Sequence, residues 1–134
     1  MNAEASKPKY KSVDEGLERG VGQLTEEKIQ KVINYIHENY TFDISREGLA
    51  AAVGMNPNYF SSQFKEFTGR KINDYINELR VNEAMDRLKD KDVKIIDAAL
   101  ATGFDSLSTF NRAFRHCTGK TPTEYRAELS GKNK

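Results

Sequence analysis

The chain has 134 residues, of which 21 are lysine or arginine and 20 are aspartate or glutamate, so its formal net charge is +1. This length predicts one domain or two very small ones. A content of 37% apolar and 31% charged residues is typical of a globular protein, and no apolar run approaches the roughly 20 residues of a transmembrane helix. With Cys117 as the one cysteine and only two histidines, we expect no internal disulfide, no protein-built zinc site, no cofactor and a reducing, cytoplasmic location.

We expect residues 1–23 to form a linker or flexible N-terminal tail, because they hold one proline and three glycines and show no sustained apolar period. The first twelve residues are polar and lack the apolar centre of a secretory signal, so we expect no such signal there. This composition favours a domain excised from a longer protein over a complete small regulator.

Two apolar stripes predict long helices. The first helix starts after Thr25, which suits its N-cap, and the second is a connecting helix at about 72–89 whose stripe drifts around the helix. The first stripe consists of Ile29, Val32, Ile33, Ile36 and Tyr40, and the second of Ile72, Tyr75, Ile76, Leu79, Ala84, Met85 and Leu88. No segment alternates with the period of a strand, so the sequence predicts an all-α fold.

The strongest feature of the sequence is an internal duplication with an offset of about fifty residues. In each copy an alanine-rich segment ends in glycine, and two phenylalanines four residues apart follow. A Thr-Gly pair and then a tyrosine complete the copy. These positions are Gly54, Phe60, Phe64, Thr68, Gly69 and Tyr75 in the first copy, and Gly103, Phe110, Phe114, Thr118, Gly119 and Tyr125 in the second, which has one extra residue in its turn.

Each copy predicts a helix-turn-helix, at about 44–68 and about 94–118, because glycine suits a left-handed turn between two helices. The phenylalanines give the second helix of each copy a buried side. The outward side carries short hydrogen-bonding and basic residues, which suit base edges and phosphates. These candidate DNA-binding residues are Asn58, Ser61, Ser62 and Lys65 in the first copy, and Ser108, Thr109, Asn111, Arg112 and Arg115 in the second.

Charge and length also favour duplex DNA. Residues 56–71 and 104–121 each have a net charge of +2, whereas residues 73–92 between them have −2. A connecting helix of about 18 residues spans about 27 Å, and successive major-groove faces lie about 34 Å apart. With the width of the flanking units added, we expect one chain to place two recognition helices in adjacent major-groove segments, with DNA bending absorbing small mismatches.

The segment from Gly103 to Arg126 resembles the signature of AraC/XylS-type transcriptional regulators, since it reads GFDSLSTFNRAFR up to Arg115 and TGKTPTEYR from Thr118. The resemblance covers about residues 25–129 and holds in both halves. It implies seven helices, with two helix-turn-helix subdomains joined by a long helix in an AraC-type DNA-binding domain at 24–131. It also implies sequence-specific binding of double-stranded DNA and, as is usual in the family, activation of transcription through contact with RNA polymerase. The lack of a long apolar run predicts that no membrane is involved.

Carried over by position, the resemblance separates base-reading from phosphate-binding residues. The base-reading candidates are Asn58, Ser61, Ser62, Ser108, Thr109 and Arg112, and the phosphate contacts are Lys65 and Arg115. Members of the family commonly carry a separate sensing domain, so an upstream domain missing from this chain is a further expected partner. The first copy departs from the pattern at Lys71-Ile72, and its short serines predict weak or water-mediated reading.

Two other classes of function stay open at this point. A protein-interaction module or anti-regulator with the same fold and a decayed DNA face is supported by the near-neutral pI and by the short Ser61 and Ser62. Steep loss of affinity with salt would distinguish a duplex binder from it. An enzyme has little support, because the sequence holds no glycine-rich phosphate loop, no plausible Ser–His–Asp set and no metal cluster.

For residues outside the candidate DNA face, the sequence predicts structural roles. We expect the Phe and Tyr side chains to be core, Cys117 to be a buried thiol on the side of Phe110 and Phe114, and His37 to be solvated. The acidic residues of 73–92 are expected on a solvated helix face, with contact to polymerase or a partner domain as the alternative.

Overall fold

A computed structural model describes residues 24–131, so the predicted tail at 1–23 lies outside the described residues. Within 24–131 the chain forms helices and no strand, which confirms the all-α prediction. No helix in this range has the length and apolarity needed to cross a membrane. The seven helices of this range are α1 Glu26–Asn39, α2 Arg46–Ala52, α3 Pro57–Thr68, α4 Ile72–Arg87, α5 Ile95–Ala101, α6 Leu107–Thr118 and α7 Pro122–Leu129.

The described residues divide into two compact units. The first comprises 24–38 and 44–75, and the second comprises 39–43 and 76–131. The division falls within α4, between Tyr75 and Ile76, so this one helix contributes to both units. The connecting helix is two residues shorter than expected, since it ends at Arg87 and the chain turns at 88–89.

Local sequence fixes where three of the helices start. Thr25 Oγ1 accepts a hydrogen bond from Lys28 N–H at 3.2 Å, and Asn56 Oδ1 accepts from the amides of the first turn of α3. Thr121 forms a capping box with Glu124, in which each side chain accepts a hydrogen bond from the other residue's amide. Proline follows both Asn56 and Thr121, at the first helical position where its missing N–H costs nothing. These caps confirm the helix starts that the sequence predicts.

In the first unit, α3 turns its aromatic side inward. Phe60 and Phe64 are fully buried, and the ring of Phe64 meets that of Tyr75 edge to face at 5.5 Å. The hydroxyl of Tyr75 lies 3.1 Å from Nε2 of His37 on α1, and His37 is exposed as predicted. The other buried apolar residues of this unit are Leu24, Ile29, Val32, Ile36, Leu49, Ala50, Met55 and Ile72.

In the second unit, the same arrangement recurs around α6. Phe110 and Phe114 are fully buried, and Phe114 meets Tyr125 edge to face at 5.7 Å. The hydroxyl of Tyr125 lies 3.5 Å from the carbonyl of Met85 on α4. The core of this unit also contains Val81, Ala84, Leu88, Ala98, Ala99, Phe104 and Ala113.

The repeated Thr-Gly pair ends both second helices in the same way. Thr68 Oγ1 donates to the carbonyl of Phe64 at 2.8 Å and accepts from Arg70 N–H at 3.1 Å. Thr118 Oγ1 makes the equivalent bonds to Phe114 and Lys120 at the same distances. The following glycine adopts a left-handed conformation in each copy, which an L side chain adopts only with strain. The Thr-Gly repeat is therefore a helix stop.

Arg80, on α4, contacts two turns of the second unit. Its Nε donates to the carbonyl of Tyr40 at 2.6 Å and its Nη2 to that of Phe42 at 2.9 Å, while the guanidinium lies 5.8 Å from the ring centre of Phe104. Burial lowers the pKa of Arg80, and Asp43 and Asp105 oppose that shift. Arg80 therefore joins the turn after α1 to the turn before α6.

Two aromatic residues contradict the expectation that the Phe and Tyr side chains are core. Tyr35 is 50% exposed and Phe42 is 66% exposed. Tyr35 lies on α1 away from the predicted stripe, and Phe42 lies in the turn after α1, where its backbone carbonyl rather than its ring is held. The expectation is wrong at these positions because it rested on residue type and not on helix phase.

Candidate nucleic-acid interface

The outward side of α3 presents the residues that the sequence singles out in the first copy. Asn58, Ser62 and Lys65 are exposed and Ser61 is partly exposed, on a helix whose other side holds the buried Phe60 and Phe64. No acidic residue lies in the first turn of α3, so anionic DNA would meet no negative charge from that turn.

A shallow groove runs beside this face within the first unit. It is lined by Arg46, Ser61, Ser62, Lys65, Lys71, Ile72 and Asn73. Three cationic side chains, Arg46, Lys65 and Lys71, therefore border this groove, which suits the binding of phosphates.

The side chain of Arg46, on α2, reaches the candidate face. Its Nη1 donates to Asn58 Oδ1 at 3.0 Å and lies 3.5 Å from Ser61 Oγ, and its Nη2 donates to Glu47 Oε2 at 3.1 Å. The pKa of the Glu47 carboxyl is lowered, first by a hydrogen bond to its own backbone amide and then by Arg46. Asn58 is thus held in place before any ligand arrives.

The outward side of α6 repeats the arrangement with longer and more basic side chains. Ser108, Asn111, Arg112 and Arg115 are exposed, opposite Phe110 and Phe114. Arg112 stands where the first copy has Ser62, at an offset of fifty residues. The first turn of α6 also carries no acidic residue.

Thr109 differs from the other candidates because its polar atoms serve the helix cap. Its amide donates to Ser106 Oγ at 3.1 Å, and its hydroxyl oxygen lies 3.0 Å from the same atom. The side chain is only partly exposed. Lys120, which contributes to the positive charge of 104–121, forms an ion pair with Glu128, so part of that charge is neutralised within the chain.

Cys117 is exposed, so the expectation that it is a buried thiol is wrong. It borders a second groove with Glu78, Asn82, Met85, Thr118, Lys120 and Tyr125. On a helix of 3.6 residues per turn, position 117 lies about 60° from position 114 and about 20° from position 110 in projection. Phase alone therefore places it near the buried side, but at the last turn of α6 the core no longer covers that side.

Sequence reasoning missed Arg46 and Lys71 as members of the groove. Both are charged residues outside the second helix of the copy, and their approach to Ser61 and Ser62 depends on the path of the chain through two turns. Arg46 stands at the first position of a helix, where the helix dipole disfavours a positive charge. This is the one local signal in the sequence that Arg46 has a role other than stabilising its own helix.

Two helix-turn-helix units, each with a polar and basic outward face on its second helix, define a duplicated helix-turn-helix protein. A family model described as a helix-turn-helix domain matches residues 49–128. The chain belongs to the AraC-type helix-turn-helix family of transcriptional regulators and carries the DNA-binding domain of that family.

Curated relatives and solved structures agree with this assignment. An uncharacterized HTH-type transcriptional regulator of Staphylococcus aureus strain COL is 33% identical over 105 residues, which make up 78% of this chain and 14% of the relative. YijO of Escherichia coli K12, also an HTH-type transcriptional regulator, is 35% identical over 99 residues, or 74% of this chain and 35% of the relative. The chain thus spans about a third or less of the length of these relatives.

A solved structure with a similar fold is the DNA-binding domain of AdpA, a global transcriptional factor determined in complex with a target DNA. It matches with a TM-score of 0.71 and 26% identity, over 78% of this chain and 94% of that one. The similarity extends over most of the described helices.

Proposed function

We propose that the chain binds specific double-stranded DNA sequences as a transcription regulator, with α3 and α6 entering two adjacent major-groove segments. The observation that carries this proposal is the repeated outward face, which lies opposite a buried aromatic side in both units. The similar AdpA domain, which was solved with a target DNA bound, supports it. The 16 residues of α4, about 24 Å long, give one chain a connection of suitable length.

The proposed roles of the residues follow from their chemistry. Base edges are read by Asn58, Ser61 and Ser62 from α3 and by Ser108, Thr109 and Arg112 from α6, since amide, hydroxyl and guanidinium groups match the donors and acceptors of the major groove. Asn111 is a further DNA contact on α6. Lys65 and Arg115 bind phosphates. Because the hydroxyl of Thr109 is engaged in the cap, its methyl group is the better candidate for contact with a thymine methyl.

Regulation by this domain is proposed to be activation through contact with RNA polymerase in the cytoplasm. The proposed domain spans 24–131, and a sensing domain located upstream would control it. Support comes from the family and from the relatives, which are longer than this chain.

Selection of bound sequences from random double-stranded DNA, at two salt concentrations, tests this proposal. We expect two short motifs about one helical turn apart, and a steep loss of affinity as salt rises, because about 6–10 neutralised phosphates release counterions. Recovery of no enriched motif, with binding insensitive to salt, would contradict it and favour a protein-interaction module.

A further inference from the structure

The first unit obtains its guanidinium from a different helix than the second. In the second unit, Arg112 lies on the recognition helix α6 itself. The equivalent position in α3 is Ser62, whose side chain is short. Arg46 on α2 reaches the face of α3 instead, at Asn58 and Ser61, whereas the second copy has the apolar Ile95 at the position equivalent to Arg46. Both copies thus have an arginine beside their candidate base-reading residues, but it is supplied from a different helix in each.

The bond between Arg46 and Asn58 restricts what Asn58 offers to a ligand. An arginine side chain has only donors, so the Asn58 atom facing it must be the carbonyl oxygen. That oxygen accepts from Arg46 Nη1 at 3.0 Å, which leaves the amide NH₂ of Asn58 for other partners. Adenine is read by asparagine through one donor and one acceptor together. The bond to Arg46 occupies one of the two lone pairs of the Asn58 oxygen and turns that oxygen towards Arg46, which disfavours this pairing while the bond lasts.

The pair of Arg46 and Asn58 therefore presents hydrogen-bond donors and few acceptors. It lies at the N-terminal turn of α3, the part of a recognition helix that contacts base edges in a helix-turn-helix. Among bases, guanine offers two acceptors in the major groove, N7 and O6, and arginine contacts to them are the most frequent specific contacts. The ion pair of Arg46 with Glu47 is exposed on both sides, so it is weak and competes little with DNA.

We propose that Arg46 is a specificity-determining residue of the first unit, and that with Asn58 it selects guanine at one position of the DNA site. This inference rests on the proposed binding of duplex DNA. Guanine is thus the base expected at that position, and the preference for guanine should change when Arg46 is removed.

The test is selection from random double-stranded DNA with the full 134-residue chain and its Arg46→Ala variant. We expect the natural chain to enrich guanine at one position of the motif read by the first unit. In Arg46→Ala the oxygen of Asn58 is released, so that position should shift from guanine towards adenine, and affinity for the original motif should fall roughly tenfold. An unchanged guanine preference in Arg46→Ala would overturn the inference.

Two further variants separate base reading from a purely structural role. Glu47→Gln, at the adjacent position, removes the other partner of Arg46 and should leave the guanine preference intact. The double variant Arg46→Ala with Ser62→Arg copies the arrangement of the second unit, and should restore guanine enrichment in the motif of the first unit. A double variant that folds, as measured by circular dichroism, and still enriches no guanine there would contradict the inference.

The second motif serves as the internal reference. Enrichment of the motif read by the second unit should be the same in all these variants, because Arg112 is untouched. If the natural chain enriches neither motif, the proposed function itself fails. If it enriches both and Arg46→Ala changes neither, only the role of Arg46 fails.

Discussion

Gly103 lies directly against Arg80 in the second unit. A Cβ atom added to Gly103 would stand 2.7 Å from Nε of Arg80 and 2.8 Å from the carbonyl oxygen of Tyr40. The equivalent glycine of the first copy, Gly54, has open space at the same point. Both have positive φ angles, 70° for Gly54 and 109° for Gly103. The two copies therefore share the conformation of the glycine turn, but only in the second copy do other residues pack against that glycine.

This difference predicts unequal effects of the same substitution. Gly54→Ala should lower the free energy of unfolding by about 1–2 kcal/mol, the cost of a left-handed alanine. Gly103→Ala should lower it by about 3 kcal/mol or more, because the backbone carbonyl of Tyr40 must also move. Urea unfolding followed by circular dichroism measures both, and equal losses would show that the turn tolerates the added methyl group.

Replacement of Arg80 should lower the stability of the protein even when the new residue is lysine. A lysine ammonium lacks the planar fork that reaches the carbonyls of Tyr40 and Phe42 together, so Arg80→Lys is expected to reduce stability by about 1–2 kcal/mol. The matched control is Arg87→Lys on the same helix, where the arginine forms an exposed pair with Glu83 and the expected change is close to zero. Similar losses of stability in the two variants would show that Arg80 does not hold the two turns together.

The features that could be predicted from the sequence are those set by local spacing. Helix starts at Asn56-Pro57 and Thr121-Pro122, the glycine stops and the buried Phe pairs depend on residues within one or two turns of each other. Helical period and capping chemistry are sufficient for these, and the duplication provided the glycine stops and the Phe pairs twice.

The features that could not be predicted depend on how the chain folds back on itself. The contact of Arg80 with Tyr40 spans 40 residues and that of Arg46 with Asn58 crosses a turn. Neither contact produces a periodic pattern in the sequence. The exposed position of Cys117 is of the same kind, because the helix phase is right for burial but Cys117 faces an open groove bordered by α4 and α7.

The buried phenylalanines should be costly to truncate. Phe110 is fully buried and its ring contacts those of Phe104 and Phe114 at 5.2 and 5.5 Å. Phe110→Ala should therefore lower the free energy of unfolding by about 3–5 kcal/mol, and Phe64→Ala should act similarly in the first unit. Phe42→Ala is the control, since its ring is 66% exposed, and its melting temperature should stay near that of the natural chain. A normal melting temperature for Phe110→Ala would exclude it from the core.

Gln63 is a polar residue whose replacement should increase stability. Its side chain is only 4% exposed, and among the described residues no hydrogen-bond partner reaches its Oε1. The second copy has Ala113 at the equivalent position. Gln63→Met keeps the length of the side chain and removes the buried oxygen, so we expect a gain of about 1–2 kcal/mol. Gln30→Met, at an exposed position of α1, should give no gain, and a loss in Gln63→Met would mean that the amide is satisfied.

Arg112 provides the direct test of base reading in the second unit. It is exposed on α6, on the side opposite Phe110 and Phe114, so Arg112→Ala should not change the melting temperature. Binding to the selected motif should weaken by about 1–3 kcal/mol, with relaxed preference at one base, because a bidentate contact to guanine discriminates by about that amount.

Arg115→Ala is the matched comparison for that measurement, as it removes the same charge from the next turn of the same face. A phosphate contact carries no sequence information, so this variant should weaken binding to all sequences alike and reduce the salt slope by about one. If Arg112→Ala instead behaves like Arg115→Ala, with equal loss on every sequence, Arg112 binds a phosphate and base discrimination in the second unit must come from Ser108 and Thr109.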